Sequence, residues 1–217
     1  MAAPSSELIA ERAYADLRDR IVTLRLAPGT ALREDDLMRE LAIGRTPLRE
    51  AVKRLALESL VAVQPRRGTF VTSVDSADIA HITEVRVELE AQAASLAAVR
   101  MDDAGRRRVL DLTAELDALA ADAGPEPLIR LDERVHREIW QAAGNPYLLD
   151  TLERLFALSL RVWYLVLDRV PTLGGTVHDQ GLLLQAVAGG DAERAGALMR
   201  EHVLRFQREI LSAFESR

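Results

Sequence analysis

The chain has 217 residues, 48% hydrophobic and 29% charged, a composition typical of a folded globular protein that excludes a disordered one. It contains no cysteine, which excludes disulfides and thiolate metal sites. No apolar run reaches the length of a membrane span, and the start MAAPSSELIAER lacks the basic and apolar parts of an export signal. We therefore expect a cytoplasmic protein without a membrane span.

The net charge of -6 is unevenly distributed along the chain. Residues 1–73 contain 12 Arg and Lys against 10 Asp and Glu, whereas the remainder contains 16 against 24. A slightly basic N-terminal part on an acidic body is typical of a DNA-binding head joined to a body with another task. We therefore divide the chain into a DNA-binding domain, 1–73, and a second domain, 74–217.

The N-terminal part predicts three helices followed by a hairpin. An amphipathic pattern covers residues 7–25, and a short second helix is expected over 34–42. The third helix follows, with Thr46 as N-cap and Pro47 as first helical residue. After it, VAVQPRRGTFV predicts a two-stranded hairpin. This order of elements is that of a winged helix-turn-helix domain.

The rest of the chain shows only helical periodicity, interrupted by glycine and proline breaks. The expected helices span residues 76–99, 103–122, 126–143, 146–169, 177–189 and 191–215. The fold class is therefore mainly α, with a winged helix-turn-helix domain followed by an all-α six-helix bundle.

A basic stripe runs along the exposed side of the third helix, because Arg45, Arg49 and Lys53 recur every fourth residue. On a recognition helix, such residues enter the major groove of DNA, and Thr46 can reach a phosphate or a base. The alternative is an ordinary solvated helix face. The helix order favours DNA binding.

The tip of the hairpin carries a second set of candidate DNA-binding residues, Arg66, Arg67 and Gly68. The arginines can bind the DNA backbone or the minor groove, and glycine allows close approach. Together with the stripe on the third helix, this tip makes DNA the favoured partner.

Four ionisable residues interrupt the apolar faces of three helices in the body: Arg86, Asp132, His136 and His202. An unpaired buried charge costs several kcal/mol, so these side chains should meet each other or a ligand. Asp and His one helical turn apart suit zinc, nickel or manganese. Buried Asp–His or Asp–Arg pairs without metal explain the pattern equally well.

The stretch LREDDLMRELAIGRTPLREAVKRLALESLVAVQPRRGTFV resembles the N-terminal domain of GntR-type bacterial transcription regulators, across residues 8–72. Two positions depart from the family: Gly44 replaces the usual Ser or Thr, and Ser59 replaces the usual Gly. The resemblance implies that the DNA-binding residues are Arg45, Thr46, Arg49, Arg67 and Gly68.

The stretches RVELEAQAASLAA, LDERVHREIWQAAGNPYL and LLLQAVAGGDAERAGALMREHV are similar to the FCD effector domain of the FadR subfamily. Six helices rather than seven place the chain nearer the VanR-like branch. In that family one Asp and three His hold a metal, and a small carboxylate effector binds beside an Arg. Asp132, His136 and His202 match three of the ligands, and Arg86 matches the carboxylate-facing Arg.

The fourth ligand does not match, because the family has a histidine eleven residues before the aspartate that is Asp191 here, and that position is Gln180. His178 lies two residues earlier, about 200 degrees around a regular helix, so it can substitute only if its helix starts later than residue 177. Two outcomes stay open: metal held loosely by three protein ligands and water, or no metal. We interpret the remaining histidine, His81, as structural.

These observations predict a ligand-responsive transcription regulator, a homodimer that binds palindromic double-stranded operator DNA and senses a small carboxylate, with zinc the first choice of metal. One alternative is a helical metallohydrolase built on Asp132, His136 and His202. We expect no enzyme, because no further residue has a clear claim to act as general base. The other alternative is a body that only dimerises.

Overall fold

The computed structural model describes residues 6–119, 124–167 and 174–215. Helices dominate, as the sequence predicts. The described elements are α1 (Ser6–Val22), β1 (Ala31–Leu32), α2 (Glu34–Leu41), α3 (Arg45–Leu57), β2 (Val61–Gln64), β3 (Gly68–Val71), α4 (Ser76–Arg100), α5 (Asp103–Ala118), α6 (Pro125–Ala142), α7 (Pro146–Val166), α8 (Gly174–Ala188) and α9 (Ala192–Glu215).

The described residues form two compact units. The first comprises the chain up to Asp75 together with Ala157–Leu165, and the second comprises Ser76–Phe156 and the chain from Val166 onward. Within the first unit, the buried Arg161 of the α7 segment donates to the Thr72 hydroxyl at 2.9 Å, and Leu158 packs against the core.

The first unit is built around one apolar core that α1, α3 and a small sheet share. Its fully buried side chains include Leu17 and Ile21 of α1 and Leu48 and Leu55 of α3. All four recur at helical spacing, so one face of each helix is removed from water. This packing leaves the opposite face of α3 exposed.

The sheet has three antiparallel strands in the order β1-β3-β2, one more than the predicted hairpin. Val61 pairs with Val71, and Ala31 pairs with Phe70 on the other side of β3. The extra strand β1 has only two residues. Two residues are too few for a period-two pattern, so the sequence offered no signal for it.

The start of α3 corrects the predicted cap. Gly44, with φ -77° and ψ 171°, is the N-cap, and the helix begins at Arg45, not after Thr46. Pro47 is buried at the third helical position and not at the first. The proline is tolerated there because the first four N–H groups of a helix have no intrahelical acceptor.

Four described residues with a side chain adopt left-handed backbone conformations in turns of the first unit, and the first of them is Leu24, at φ 60° after the end of α1. Ala42 ends α2 at φ 52°, Ser59 leads from α3 into β2 at φ 62°, and Arg66 turns the hairpin at φ 63°. Such a conformation costs a residue other than glycine about 1–2 kcal/mol.

The half-buried Tyr14 links α1 to the end of α3. Its hydroxyl donates to Glu58 Oε1 at 2.5 Å, and the Arg54 guanidinium lies 3.8 Å from the centre of its ring. Burial and the neighbouring Glu58 carboxylate raise the pKa of Tyr14 to about 12. The neutral phenol is therefore the form that the fold stabilises.

We expect Tyr14→Phe to lower the free energy of unfolding at neutral pH by about 2 kcal/mol, because the substitution removes a hydrogen bond to a charged group. The pKa of Tyr14 in the folded protein lies above the ordinary tyrosine value of 10.0, so this stabilisation is complete below pH 10.0 and is lost as the pH rises through about 12. Urea unfolding of both proteins across this range measures the difference. If the difference in free energy of unfolding between the two proteins stayed constant across this pH range, the raised pKa of Tyr14 would be contradicted.

The second unit is a bundle in which α4 and α9 pack closely. A Cβ at Gly196 of α9 would lie 2.5 Å from Ser95 Oγ and 3.3 Å from the Ala91 carbonyl oxygen of α4. Only glycine permits this approach, which brings the following turns of α9, including His202, beside α4. The packing thus positions one histidine of the candidate site.

The starts of two helices in the bundle follow their sequence signals. Asn145 caps α7 and its side chain accepts hydrogen bonds from the backbone N–H groups of Tyr147 and Leu148. Asp102 caps α5 in the same way through Gly105 N–H at 2.7 Å. The helix α8 starts at Gly174, three residues before the predicted start.

Candidate functional site

The four ionisable residues predicted to lie on inward helix faces are all buried in the second unit. Arg86 comes from α4, Asp132 and His136 from α6, and His202 from α9, and each is at most 6% exposed. The two α6 residues share a face because they are one helical turn apart, and Val135 and Ile139 bury that same side of the helix. Regular helix geometry therefore places the two α6 residues side by side, and the packing of α4 and α9 against the same bundle core brings Arg86 and His202 to them.

Asp132, His136 and His202 present three ligand atoms to one point. The Nε2 atoms of the two histidines are 3.1 Å apart, and Asp132 Oδ1 lies 3.6 Å from the first and 3.4 Å from the second. Two ligands of a tetrahedral zinc ion, each about 2.0–2.1 Å from the metal, are separated by roughly 3.3 Å. The triangle therefore has the size of one face of a coordination shell, and the donor set fits a divalent metal.

Gln180 of α8 reaches the same cluster and is 2% exposed. Its Nε2 donates to Asp132 Oδ1, so the amide nitrogen faces the carboxylate. Gln180 stands at the sequence position that the resemblance gives to a fourth ligand, and in the structure it acts as a hydrogen-bond donor to Asp132. His178 could replace Gln180 as a ligand only if its helix started later than residue 177, but α8 starts at Gly174. The side chain of His178 lies outside the described residues.

Glu90 of α4 also belongs to the cluster, although its sequence pattern did not predict this. Its side chain is fully buried, and it contacts Arg86, His136 and Trp140. The available signal was its position one turn after Arg86, which places both residues on one helix face. Glutamate is usually a surface residue, and for that reason the pattern did not single it out.

The ionisation of the cluster follows from these contacts. Burial alone would raise the pKa of the Glu90 carboxyl, but His136 and Arg86 outweigh burial and lower the pKa to about 2. For Asp132, His136 and His202 likewise outweigh burial and lower the pKa. Burial lowers the pKa of His136, whereas the facing carboxylates of Glu90 and Asp132 raise it, and the result is an increase. Both carboxylates are therefore charged at neutral pH.

Aromatic rings form an apolar wall beside the cluster. The ring of Phe156 lies 5.1 Å from that of His136, and Trp140 lies 5.7 Å from it. The Arg86 guanidinium lies 5.0 Å from the centre of the Phe156 ring. Side chains packed in this way have few alternative rotamers, so the polar groups are held in one arrangement.

In the first unit, all seven predicted DNA-binding residues are exposed: Arg45, Thr46, Arg49, Lys53, Arg66, Arg67 and Gly68. Gly68 has φ +107°, a conformation that favours glycine, at the start of β3. On the opposite side of α3, Leu48, Ala51 and Leu55 are buried. The basic stripe therefore lies on the accessible face of α3, as predicted.

Acidic residues at the start of α2 pair with the basic stripe. Arg45 Nη2 lies 3.4 Å from Asp35 Oδ1, and Arg49 Nε lies 3.2 Å from Glu34 Oε1. Exposed ion pairs contribute little to stability, so phosphate can replace these carboxylates at low cost.

His81, which we interpreted as structural, is exposed on α4. In the part of the chain that the structure describes, no helix is both long and apolar enough to cross a membrane.

Comparison with known proteins gives two family matches. The FCD domain matches residues 81–205, and the family described as bacterial regulatory proteins, gntR family, matches residues 9–71. The chain is also 35% identical, over 199 residues, to the HTH-type transcriptional repressor GlaR of Escherichia coli strain K12, a match that covers 88% of this chain and 90% of the relative.

Two solved structures show the same fold. McbR/YncC of E. coli matches with a TM-score of 0.81 at 21% identity, over 100% of this chain and 99% of that chain. An FCD domain described as metal-free matches with a TM-score of 0.55 at 20% identity, over 67% of this chain and 99% of that domain.

Proposed function

The chain belongs to the gntR family of bacterial regulatory proteins and carries an FCD domain, and from this premise we propose that it is a transcription regulator that senses a small carboxylate through a bound divalent metal. The relatives are regulators and not enzymes, so the hydrolase alternative is set aside. Its place of action would be the bacterial cytoplasm, where operator DNA lies.

The observation that carries the proposal is the triangle of Asp132 Oδ1, His136 Nε2 and His202 Nε2. One carboxylate oxygen and two imidazole nitrogens suit zinc first, and nickel or manganese next. Held by these three residues, such an ion would supply positive charge that attracts a carboxylate oxygen. Gln180 keeps Asp132 in place through its amide nitrogen.

Arg86 is the residue that we propose to face the effector. Its guanidinium is buried beside the triangle and already binds Glu90 through Nη2 at 2.7 Å. A planar guanidinium has five N–H donors, so it can bind a second carboxylate along another edge. Metal and Arg86 would then bind the two oxygens of a small carboxylate.

We propose that two copies of the chain bind one palindromic operator. Two recognition helices must enter successive major grooves, which a homodimer with two-fold symmetry achieves. The exposed stripe of Arg45, Arg49 and Lys53 on α3 supports this role for that helix. Occupancy of the effector site can alter DNA affinity only if the effector binds one arrangement of the dimer better than another.

We expect the purified protein to bind DNA from its own promoter region at least roughly a thousandfold more tightly than random DNA at one fixed salt concentration. With zinc present, the correct small carboxylate should change this affinity by roughly 5- to 150-fold, and a chelator should cancel the effect. Fluorescence anisotropy with a panel of small carboxylates measures both quantities.

The outcomes separate the proposals. Equal affinity for promoter and random DNA would contradict operator recognition. Operator binding that no metal and no carboxylate changes, without thermal stabilisation by either, would instead favour a body that only dimerises.

A further inference from the structure

We propose that Glu90 is a positioning residue that holds His136 and Arg86 in fixed orientations, so that one carboxylate joins the metal-holding side of the cluster to its effector-facing side. The inference rests on the proposed function, because it concerns how the chain presents these residues to metal and effector. Glu90 lies on α4 one turn after Arg86, and its side chain is fully buried.

One oxygen of Glu90 orients the imidazole of His136. Trp140 Nε1 donates to Oε2 at 2.7 Å, and His136 Nδ1 lies 3.0 Å from the same oxygen. Indole and guanidinium nitrogens can only donate, so the contacts with Trp140 and Arg86 make both oxygens of Glu90 acceptors. The proton between Glu90 and His136 therefore belongs to Nδ1. This hydrogen bond turns Nε2 toward Asp132 and His202, the direction that metal ligation requires.

The other oxygen of Glu90 orients Arg86. Oε1 accepts from Arg86 Nη2 at 2.7 Å and from Nε at 3.3 Å, and the guanidinium lies over the ring of Phe156. Two contacts along one edge fix the plane of the guanidinium. Because the same carboxylate binds the metal ligand His136, a change at residue 90 disturbs the metal site and the effector-facing arginine together.

The chain offers a matched control on the same helix. Glu88 lies two residues earlier but is exposed, and it pairs with Arg200 Nη2 of α9 at 2.9 Å. Replacement of Glu88 by glutamine removes the same charge from α4 without changing any contact of the cluster.

The test measures the zinc affinity of the full-length wild type, Glu90→Gln and Glu88→Gln by competition with a chromophoric chelator. Glutamine keeps the size of Glu90 but replaces one acceptor oxygen by an NH₂ donor. This donor then faces either the donors of Arg86 or the ring nitrogens of His136 and Trp140. We expect Glu90→Gln to weaken zinc binding by roughly tenfold to a hundredfold, and Glu88→Gln to leave it unchanged. Thermal unfolding of the metal-free proteins, measured in parallel, separates this effect from loss of stability.

Equal zinc affinity of the wild type and Glu90→Gln would overturn the positioning role and leave the proposed function intact. Absence of zinc binding by the wild type would remove the proposed metal site and this inference with it. A second readout does not depend on folding of the variant: the proton–nitrogen NMR spectrum of His136 in the zinc-loaded wild type. A protonated Nδ1 and a metal-bound Nε2 support the proposal, whereas zinc on Nδ1 overturns it.

Discussion

His202→Ala is expected to abolish the thermal stabilisation that zinc gives the wild-type protein. A metal present at about a thousand times its dissociation constant stabilises the folded state by about 4 kcal/mol, which raises the melting temperature of a unit of this size by roughly 10 °C. His202 would supply one of the three proposed ligand atoms, and two ligands hold zinc far more weakly than three. Scanning calorimetry with and without zinc measures the shift.

Two further variants test whether zinc stabilises the protein through this cluster. His81→Ala removes an exposed histidine of α4 and should leave the zinc shift unchanged. Gln180→His places an imidazole where an amide now contacts Asp132. Because the imidazole can serve as a fourth ligand, this change should increase the rise in melting temperature that zinc causes. A zinc shift in His202→Ala as large as that of the wild type would place the metal elsewhere in the chain.

The second large effect concerns α3, the helix that we propose reads DNA. Arg45→Ala and Arg49→Ala should each weaken operator binding by about 1–3 kcal/mol, or roughly tenfold to a hundredfold, because an arginine that binds a base edge in two places contributes that much. Both side chains are exposed on α3, 58% and 64% respectively. Anisotropy titrations against operator and random DNA measure the loss and show whether it is sequence-specific.

Arg130→Ala is the matched control, because Arg130 is 71% exposed but lies on α6 of the other unit. Its replacement should leave operator affinity unchanged. Operator binding by Arg45→Ala and Arg49→Ala that equals the wild type would remove the assignment of α3 as the DNA-reading helix.

The long helices were predictable because their apolar residues repeat with a regular period, and the breaks at Gly144 and Pro146 separate α6 from α7 as expected. Local detail was harder to predict. The cap of α3 lies at Gly44 because the backbone there is extended, a property that residue type alone does not reveal. The strand β1 exists because it pairs with β3, which is distant in the sequence.

In the candidate site, periodicity sufficed to place Arg86, Asp132, His136 and His202 on inward faces. That they would meet each other or a ligand followed from the cost of burying an unpaired charge, whereas the distances between them depend on how helices distant in the sequence pack. Glu90 was missed because its burial is tolerated only through its contacts with other side chains.

The left-handed turn residues of the first unit have a consequence for how the protein can change over evolutionary time. At Ser59 the neighbouring Thr72 hydroxyl binds the backbone carbonyl, at 2.7 Å, so this contact makes no demand on the serine side chain. Glycine would adopt the same turn without the steric cost. Ser59 and Ala42 therefore retain a steric cost that glycine would relieve, and the stability gained in this way would let the lineage tolerate destabilising substitutions at the residues proposed to contact DNA.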